Sequence, residues 1–168
     1  MNPLPQIRAA SRGDIAGIAE LARRVWRAHY PGIITAAQIE YMLERGYAFD
    51  ALARFVDGPD AGIDLACVDD VLAGFCAWML LGASNELKID KLYVDVDLHR
   101  GGIGGALIDA ARDHACRTGA RALVLNVNKN NERAIAAYRK HGFRVRESVV
   151  IDIGGGFVMD DFVMERTV

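Results

Sequence analysis

The sequence predicts a mixed α/β fold in which a central twisted sheet of about seven strands is flanked by about four helices. Apolar residues make up 52% and charged residues 25% of the 168 residues, a balance typical of globular proteins. Segments with strand and helix periodicity follow one another in the order β-α-α-β-β-β-α-β-α-β-β, without a repeat or a linker. The chain is therefore expected to form one domain spanning residues 1–168.

The first third of the chain is predicted to be mostly helical. A short strand at 6–10 precedes a capping-box sequence, Ser11–Asp14. Apolar residues at helical spacing then indicate a helix from Ile15 to about His29. Thr35 is suited to cap a second helix that ends at Gly46, and a weaker helical pattern covers 50–56.

The remaining two thirds alternate strands with two more helices. The expected strands are 63–68, 71–81, 87–94, 122–127, 143–153 and 157–166. Asp69-Asp70 and Gly154–Gly156 have the composition of tight turns between neighbouring strands. Helices are expected from Gly102 to Thr118 and from the cap residue Asn131 to Gly142. This order predicts helices on both faces of the sheet.

Composition argues against several classes of protein. The formal net charge is −2 and no basic run occurs, so nucleic acid is not an expected partner. The longest apolar run, 71–83, is too short to span a bilayer, and the amino terminus lacks a signal pattern. Cys67, Cys76 and Cys116 lie in apolar segments without metal-ligand spacing. We therefore expect a cytoplasmic protein with no membrane partner and no metal, whose cysteines are small core residues.

A glycine-rich segment, His99–Gly105, follows the 87–94 strand and predicts an anion site. Glycines let a ligand approach the main chain, and a helix amino terminus gathers amide hydrogens around one point. A phosphate or pyrophosphate suits such a turn, although a tight connection without a ligand has the same composition. Ala106-Leu107 stand where a P-loop requires Lys-Ser or Lys-Thr, and the dinucleotide-binding fingerprint lacks its third glycine.

A second segment, 131–143, fits the pattern Asn-x-x-Ala-x-x-x-Tyr-x-x-x-Gly-Phe. Its spacing places Asn131, Ala134 and Tyr138 along one side of a helix. The small Ala134 leaves room beside that face, and the Tyr138 hydroxyl projects beyond it. Without a ligand, Asn131 would be only a helix cap and Tyr138 would pack against the sheet.

These two segments, in this order and separated by a helix and a strand, resemble the GNAT superfamily of N-acetyltransferases over nearly the whole chain. His99 stands where the family's loop usually begins with Gln or Arg. The resemblance implies that acetyl-CoA is the cosubstrate, with its pyrophosphate in the glycine loop and its pantetheine arm beside residues 131–138. The residues so expected to bind acetyl-CoA are Leu92, Tyr93, Val94, His99, Arg100, Gly101, Gly102, Ile103, Gly104, Gly105, Asn131, Ala134 and Tyr138.

The same resemblance brings Tyr138 to the thioester sulfur. A phenol titrates near ~10 and a thiol near ~8.5, so Tyr138 stays protonated at neutral pH and can give a proton to the leaving thiolate. Main-chain amides at 92–94 are expected to polarise the thioester carbonyl. Asp90, which shares a strand side with Glu86 and Lys88, is the expected general base. Ion pairing of either carboxylate with a lysine or arginine, or the absence of any side-chain base, are the alternatives.

The expected acceptor is a primary amine of a small molecule, contacted by Trp26, His29 and Tyr30, with Tyr41 and Tyr93 nearby. Helical spacing also suits Trp26 to the core. Segments 28–43 and 160–164 and the strand ending at Val94 carry a weaker likeness to bacterial polyamine-type acetyltransferases. Acidic residues agree with a cationic acceptor, although a solvated rim would contain them equally well. These residues are Asp95, Asp97, Asp160 and Asp161.

Other functions fit the same motifs. The acceptor could be a protein amino terminus or a lysine side chain, or the chain could be an acyl-CoA-binding sensor with little turnover. A nucleotide-binding regulator would instead prefer ATP or NAD to CoA. The terminal hairpin offers an edge at which two copies can pair, so a homodimer is expected.

Overall fold

The computed structural model describes residues 4–98 and 101–168. The helices are α1 (Ile15–His29), α2 (Ala36–Gly46), α3 (Phe49–Asp57), α4 (Ile103–Thr118) and α5 (Glu132–Lys140). The strands are β1 (Gln6–Ala9), β2 (Ala61–Val68), β3 (Val71–Leu81), β4 (Glu86–Val94), β5 (Ala122–Asn128), β6 (Arg144–Gly154) and β7 (Phe157–Thr167). The predicted order is confirmed with one difference: the weak helical pattern at 50–56 is a full helix, α3, so three helices rather than two precede β2.

The strands form one seven-stranded mixed sheet within the described residues, in the order β1-β2-β3-β4-β5-β7-β6. Only β4 and β5 run parallel, and α4 is the crossover between them. Asp69 and Asp70 join β2 to β3 with φ of 50° and 63°, as a tight two-residue hairpin requires. The predicted mixed sheet is therefore correct, with its single parallel pair at the centre.

Helices cover both faces of the sheet. Along β3, Phe75 packs into the core beneath α1, α2 and α3, whereas Cys76 packs into the core beneath α4 and α5. Both side chains are fully buried. This alternation is the period-two pattern of a strand with cores on both sides. No helix in the described parts of the chain is long and apolar enough to cross a membrane.

The three cysteines do not share one environment. Cys76 is fully buried, Cys67 is partly buried, and Cys116 is exposed on α4. The sequence prediction of a core position is therefore wrong for Cys116. An apolar neighbourhood along a helix does not distinguish its inward side from its outward side, and Cys116 lies on the outward one.

The sheet opens between its two parallel strands. β4 and β5 pair only as far as Ile89 and Leu125. Beyond these residues β4 stays paired with β3, and β5 stays paired with β7. The register between β3 and β4 shifts at the same place, so Asp90 is the extra residue of a β-bulge. A gap therefore separates the end of β4 from the end of β5.

Candidate active site

A cavity of about 530 Å³ fills the gap between β4 and β5. Trp26 of α1 and Tyr30, which follows α1, form part of its wall on one face of the sheet. Ile108 of α4 and Tyr138 of α5 form part on the other. The cavity therefore passes through the sheet. We call the part beside α4 and α5 the cofactor end, and the part beside α1, α2 and the β6–β7 hairpin the acceptor end.

Two glycines keep the start of α4 open at the cofactor end. Gly102 precedes the helix with φ +71°, a left-handed conformation that favours glycine. Gly104 lines the cavity, and a Cβ there would meet only Val94 Cγ2, at 3.8 Å. Gly105 differs, because its Cβ would stand 2.9 Å from the His141 ring. Gly105 therefore leaves room for the His141 ring, which follows α5.

The residues predicted to bind the cofactor occupy three kinds of position. Those that line the cavity are Leu92, Tyr93, Val94, Gly104, Asn131, Ala134 and Tyr138. Gly101, Gly102 and Gly105 surround the α4 start, where Ile103 turns its side chain into the core, with 3% exposure. His99 and Arg100 lie outside the described residues. The structure thus brings both predicted segments to one end of one cavity.

Asn131 connects the two ends of the cavity. Its Oδ1 accepts a hydrogen bond from the Ala134 backbone N–H at 3.3 Å, which caps α5. The same oxygen lies 3.0 Å from His29 Nε2. Because an amide oxygen only accepts, His29 Nε2 carries the hydrogen in this contact. His29 lies on the cavity wall, with this nitrogen engaged by Asn131.

Tyr138 presents a protonated phenol to the cavity. Its ring packs edge-on against Phe143, with the centroids 5.8 Å apart. Burial raises the pKa of the Tyr138 hydroxyl well above its usual value, and nearby Tyr30 and Cys76 add to the shift. The hydroxyl is therefore a proton donor throughout the neutral range.

Four aromatic residues line the acceptor end. The rings of Trp26 and Tyr30 lie 4.3 Å apart between centroids. Trp26 Nε1 donates to the Tyr47 hydroxyl at 3.1 Å, and the hydroxyls of Tyr30 and Tyr93 are also 3.1 Å apart. Trp26 is only 4% exposed, so it belongs to the core and to the cavity wall at once. Sequence reasoning did not single out Tyr47, which no motif marks.

Tyr41, expected near the acceptor, instead holds the β6–β7 hairpin. Its hydroxyl donates to the Ile153 carbonyl at 2.7 Å, and Gln38 Nε2 donates to the Val158 carbonyl at 2.9 Å. Gly155 packs so closely that a Cβ would stand 2.7 Å from Tyr41 Cε2. The hairpin residues that line the cavity are Ile151, Ile153 and Met159. α2 therefore positions one wall of the acceptor end.

Asp90 lines the cavity but is held by two lysines. Lys91 Nζ lies 2.7 Å from its Oδ2, and Lys88 Nζ lies 3.5 Å from its Oδ1. Burial acts to raise the pKa of Asp90, but the two ammonium groups outweigh it, so the pKa is lowered. Glu86 is likewise paired, with Arg121 and with Arg146 at 2.8 Å. Both carboxylates of β4 thus occupy the ion-paired alternative that the sequence left open.

Asp161 is the acidic residue for which the sequence left open both a place at the acceptor and a place in a solvated rim. It is 2% exposed and lines the cavity, so it does not belong to a solvated rim. Burial raises its pKa to about 6, the Asn126 side chain opposes that rise, and Asp160 adds to it. Period-two alternation along β7 places Asp161 on the same side as Met159 and Val163, and this pattern marks it as inward-facing.

The other three acidic residues differ from Asp161 in their surroundings. Asp95 pairs with Arg24 at 2.9 Å, Asp160 pairs with Lys129 at 2.5 Å, and Asp97 is exposed. None of them lines the cavity. Within the described residues, no three His, Cys, Asp or Glu side chains are grouped so as to hold a metal ion.

Comparison with known proteins is consistent with this geometry. Residues 12–143 match the model of the acetyltransferase (GNAT) family. A spermidine N(1)-acetyltransferase of Thermoplasma acidophilum is 26% identical over 165 residues, which cover 96% of each chain. A peptidyl-lysine N-acetyltransferase of Salmonella typhimurium is 38% identical over 98 residues, 57% of this chain and 60% of that one.

A solved structure shows the same fold with a ligand. The crystal structure of PaiA N-acetyltransferase from Thermoplasma acidophilum in complex with coenzyme A superposes with a TM-score of 0.84 at 26% identity. The match covers 99% of this chain and 100% of that chain. The full described fold, including α3 and the terminal hairpin, is thus the fold of a protein that binds coenzyme A.

Proposed function

This chain belongs to the GNAT family of acetyltransferases, and we propose that it transfers the acetyl group of acetyl-CoA to a primary amine of a small, polyamine-like molecule. Attack is direct, within a ternary complex. The observation that carries the proposal is the single cavity through the sheet, which has a glycine-opened cofactor end and an aromatic acceptor end. Two substrates entering from opposite faces would meet where β4 and β5 separate.

At the cofactor end, the loop containing Gly102 and Gly104 holds the pyrophosphate of acetyl-CoA, with Asn131 and Ala134 beside the pantetheine arm. His99 and Arg100 belong to the same proposed loop. Main-chain groups of Leu92, Tyr93 and Val94 orient the thioester carbonyl and stabilise the charge that develops on its oxygen. The accessible α4 start and the cavity-lining position of residues 92–94 support this arrangement.

Tyr138 acts as the general acid. The amine nitrogen attacks the carbonyl carbon, and the carbon–sulfur bond breaks. The departing thiolate takes the Tyr138 proton, and the phenolate takes the proton that the new amide nitrogen releases. The raised pKa of Tyr138 supports this role because it keeps the hydroxyl protonated until the thiolate forms.

The acceptor end favours a cationic aliphatic amine. The faces of Trp26, Tyr30 and Tyr93 can surround methylene groups and attract an ammonium. The spermidine acetyltransferase relative, matched over 96% of this chain, supports the same substrate class. Asp90, the base predicted from the sequence, would have to act from within its ion pairs, which lower its pKa and weaken it as a base.

Acceptor choice is tested by following free-thiol release from acetyl-CoA. The purified chain is assayed with spermidine, a lysine-containing peptide and a peptide with a free amino terminus. We expect kcat/KM for spermidine to exceed that for either peptide by at least about tenfold, because the aromatic wall of the acceptor end suits a cationic aliphatic amine. A preference for either peptide would favour a protein acetyltransferase. The peptidyl-lysine acetyltransferase relative from Salmonella, matched over 57% of this chain, would agree with that outcome. Slow release with every amine would favour the sensor.

Cofactor choice is tested by thermal unfolding with acetyl-CoA, ATP or NAD. A ligand at a hundred times its dissociation constant stabilises the folded state by about 2.7 kcal/mol. At this chain length that corresponds to a rise in Tm of about 5–10 °C. We expect the rise with acetyl-CoA alone. A comparable rise with ATP or NAD would favour the nucleotide-binding regulator.

We also propose a cytoplasmic homodimer. Cys67, Cys76 and Cys116 are all unpaired, as suits a reducing compartment. β6 is an edge strand, and its Val150 is 66% exposed, so a second copy can pair along it. Light scattering after size-exclusion chromatography should give twice the mass of the chain, and a monomer mass would reject the dimer.

A further inference from the structure

We propose that Asp161 receives the acceptor: its carboxylate pairs with the ammonium of the incoming amine and takes a proton from it before attack. This inference rests on the proposed function. Asp161 is 2% exposed and lines the cavity, and its Oδ1 has no hydrogen-bond partner in the described parts of the chain. A buried carboxylate oxygen without a partner is unfavourable in a folded protein. A bound ammonium would supply the missing donor.

The cationic side chains near Asp161 are paired with other carboxylates, so a substrate cation can take the position beside Asp161 Oδ1. Lys88 and Lys129 both lie near enough to lower its pKa, but each is paired with another carboxylate. Lys88 pairs with Asp90 at 3.5 Å, and Lys129 pairs with Asp160 at 2.5 Å. Within the described residues, no salt bridge joins a lysine, arginine or histidine to Asp161.

Asp161 also lies beside the gap between β4 and β5, on its β5 side. It pairs with Asn128 at the end of β5, beyond the point where β5 has separated from β4. Tyr30 interacts electrostatically with both Asp161 and Tyr138. An amine stacked on Tyr30 therefore has the proposed proton acceptor and the proposed proton donor within the same cavity.

The proton steps balance. The ammonium gives one proton to the Asp161 carboxylate, and the neutral nitrogen attacks the thioester carbon. The nitrogen then gives its second proton, through Tyr138, to the thiolate. The Asp161 carboxylic acid releases its proton to water before the next amine binds. The pKa of about 6 leaves Asp161 ionised at neutral pH, so it can attract the cation and accept the proton.

The groups that face Asp161 set its titration. Asn126 of β5, Asp160 of β7, Lys88 of β4 and Lys129 after β5 all act on its pKa. The remaining titratable side chains on the cavity wall are His29, Tyr30, Tyr47, Asp90, Lys91, Tyr93, Arg133, Tyr138 and His141. Because the cavity wall carries several ionisable side chains, a variant at Asp161 is needed to assign the pH dependence of the reaction to this residue.

The test compares Asp161→Asn with Asp160→Asn, its exposed neighbour outside the cavity. In wild type, kcat/KM for spermidine should decrease as the pH is lowered below about 6, because Asp161 becomes protonated. D161N should lose this acid limb and lower kcat/KM about 100-fold at neutral pH, with the KM for acetyl-CoA unchanged. D160N should keep the wild-type rate, and its acid limb should move to lower pH because a neighbouring negative charge is gone.

Thermal unfolding at pH 8 without substrate separates this role from a structural one. Because the pKa of Asp161 is higher in the folded chain than the usual value near ~3.9, stability falls as pH rises from about 4 to above 6. D161N removes the buried charge, so its Tm at pH 8 should exceed that of wild type. A purely structural Asp161 would give a lower Tm instead. Spermidine should raise the Tm of wild type but not that of D161N.

The outcomes distinguish this inference from the proposed function. Wild-type turnover and an intact acid limb in D161N would overturn the inference and leave the proposed function standing. No turnover of any amine by wild type would reject the proposed function. In that case, a spermidine-induced Tm shift that D161N abolishes supports recognition by Asp161, and an equal shift or none refutes it. If D161N does not fold, Asp161→Ser is judged by the same criteria.

Discussion

The two ends of the cavity are built in different ways. The cofactor end comes mainly from two continuous segments, the start of α4 and the α5 segment 131–138, with residues 92–94 of β4 beside them. The acceptor end is assembled from α1, α2, β4 and the β6–β7 hairpin, whose contributing residues span positions 25 to 161. A motif can therefore describe the first end but not the second. Substitutions at one end should change the kinetics of one substrate and spare the other.

The two carboxylates on the cavity wall, Asp90 and Asp161, differ in their ion partners and in the direction of their pKa shifts. Asp90 and Asp161 are both largely removed from water, yet the pKa of Asp90 is lowered and that of Asp161 is raised to about 6. Lys91 lies 2.7 Å from Asp90, whereas Asp161 forms no salt bridge within the described residues. Partners, rather than burial alone, decide which carboxylate can accept a proton. For this reason our proposal assigns the proton acceptor to Asp161 instead of Asp90, the base predicted from sequence.

The largest effect is expected for Tyr138→Phe, at the point where the ends meet. Losing the hydroxyl removes the proton donor for the thiolate, so kcat should fall by about 100-fold. The ring and its packing against Phe143 remain, so the dissociation constant for acetyl-CoA should not change. Steady-state kinetics and calorimetric titration measure the two quantities. An unchanged kcat would remove Tyr138 from the mechanism.

A smaller effect, confined to the cofactor end, is expected for Gly104→Val. The new side chain meets little of the protein, since Val94 Cγ2 at 3.8 Å is the nearest atom, and it projects into the cavity. Acetyl-CoA binding should weaken about tenfold, or about 1.4 kcal/mol, while the KM for spermidine stays the same. Gly82→Val is the matched control, because a Cβ at Gly82 meets nothing within 4 Å. Equal weakening by both variants would contradict the assignment.

At the acceptor end, Tyr30→Leu should raise the KM for spermidine by about 2–10-fold, because an aromatic face contributes about 0.5–1 kcal/mol or more to a nearby cation. Tyr30→Phe keeps that face and loses only the contact with the Tyr93 hydroxyl, so its KM should stay closer to wild type. Acetyl-CoA binding should be the same in both. Identical KM values for the Leu and Phe variants would exclude a role for the aromatic face.

The smallest effect is a loss of stability at the hairpin that lines the acceptor end. Gly155→Ala places a Cβ at positive φ and 2.7 Å from Tyr41 Cε2, whereas Gly156→Ala has positive φ but no atom within 4 Å. The positive φ alone should cost about 1 kcal/mol in each variant. We expect Tm to fall by about 2–4 °C for G156A and by more for G155A. Equal falls would show that Tyr41 does not restrain the hairpin.

Local patterns predicted much of this molecule. The Ser11–Asp14 capping box begins a helical segment in the structure, where the Ser11 N–H donates to Asp14 Oδ2 at 2.8 Å. The turn at Asp69 and Asp70 is likewise found as its composition indicates. Each of these features depends on residues within a few positions of one another. Backbone conformation and capping are short-range effects, so sequence alone can locate them.

The environments of Asp90, Asp161 and Tyr41 did not follow from local patterns. Tyr41 bonds to Ile153, 112 positions away, and Tyr30 contacts Tyr93, 63 positions away. The pKa of Asp161 depends on Asn126 and Lys88, which are distant in sequence. A charge pattern along one strand cannot show which side chains from other elements will lie beside it.

The order of the elements, the helices on both faces of the sheet and the two motif segments were predictable before folding was considered, because they depend on periodicity, capping and glycine conformations over short stretches. Tertiary structure alone decided that β4 parts from β5 after Ile89, that a cavity passes through the gap, and that Asp161 faces it without a salt bridge among the described residues. The physical reason is that burial and electrostatic partnership are properties of the packed chain, in which residues far apart in sequence share one environment.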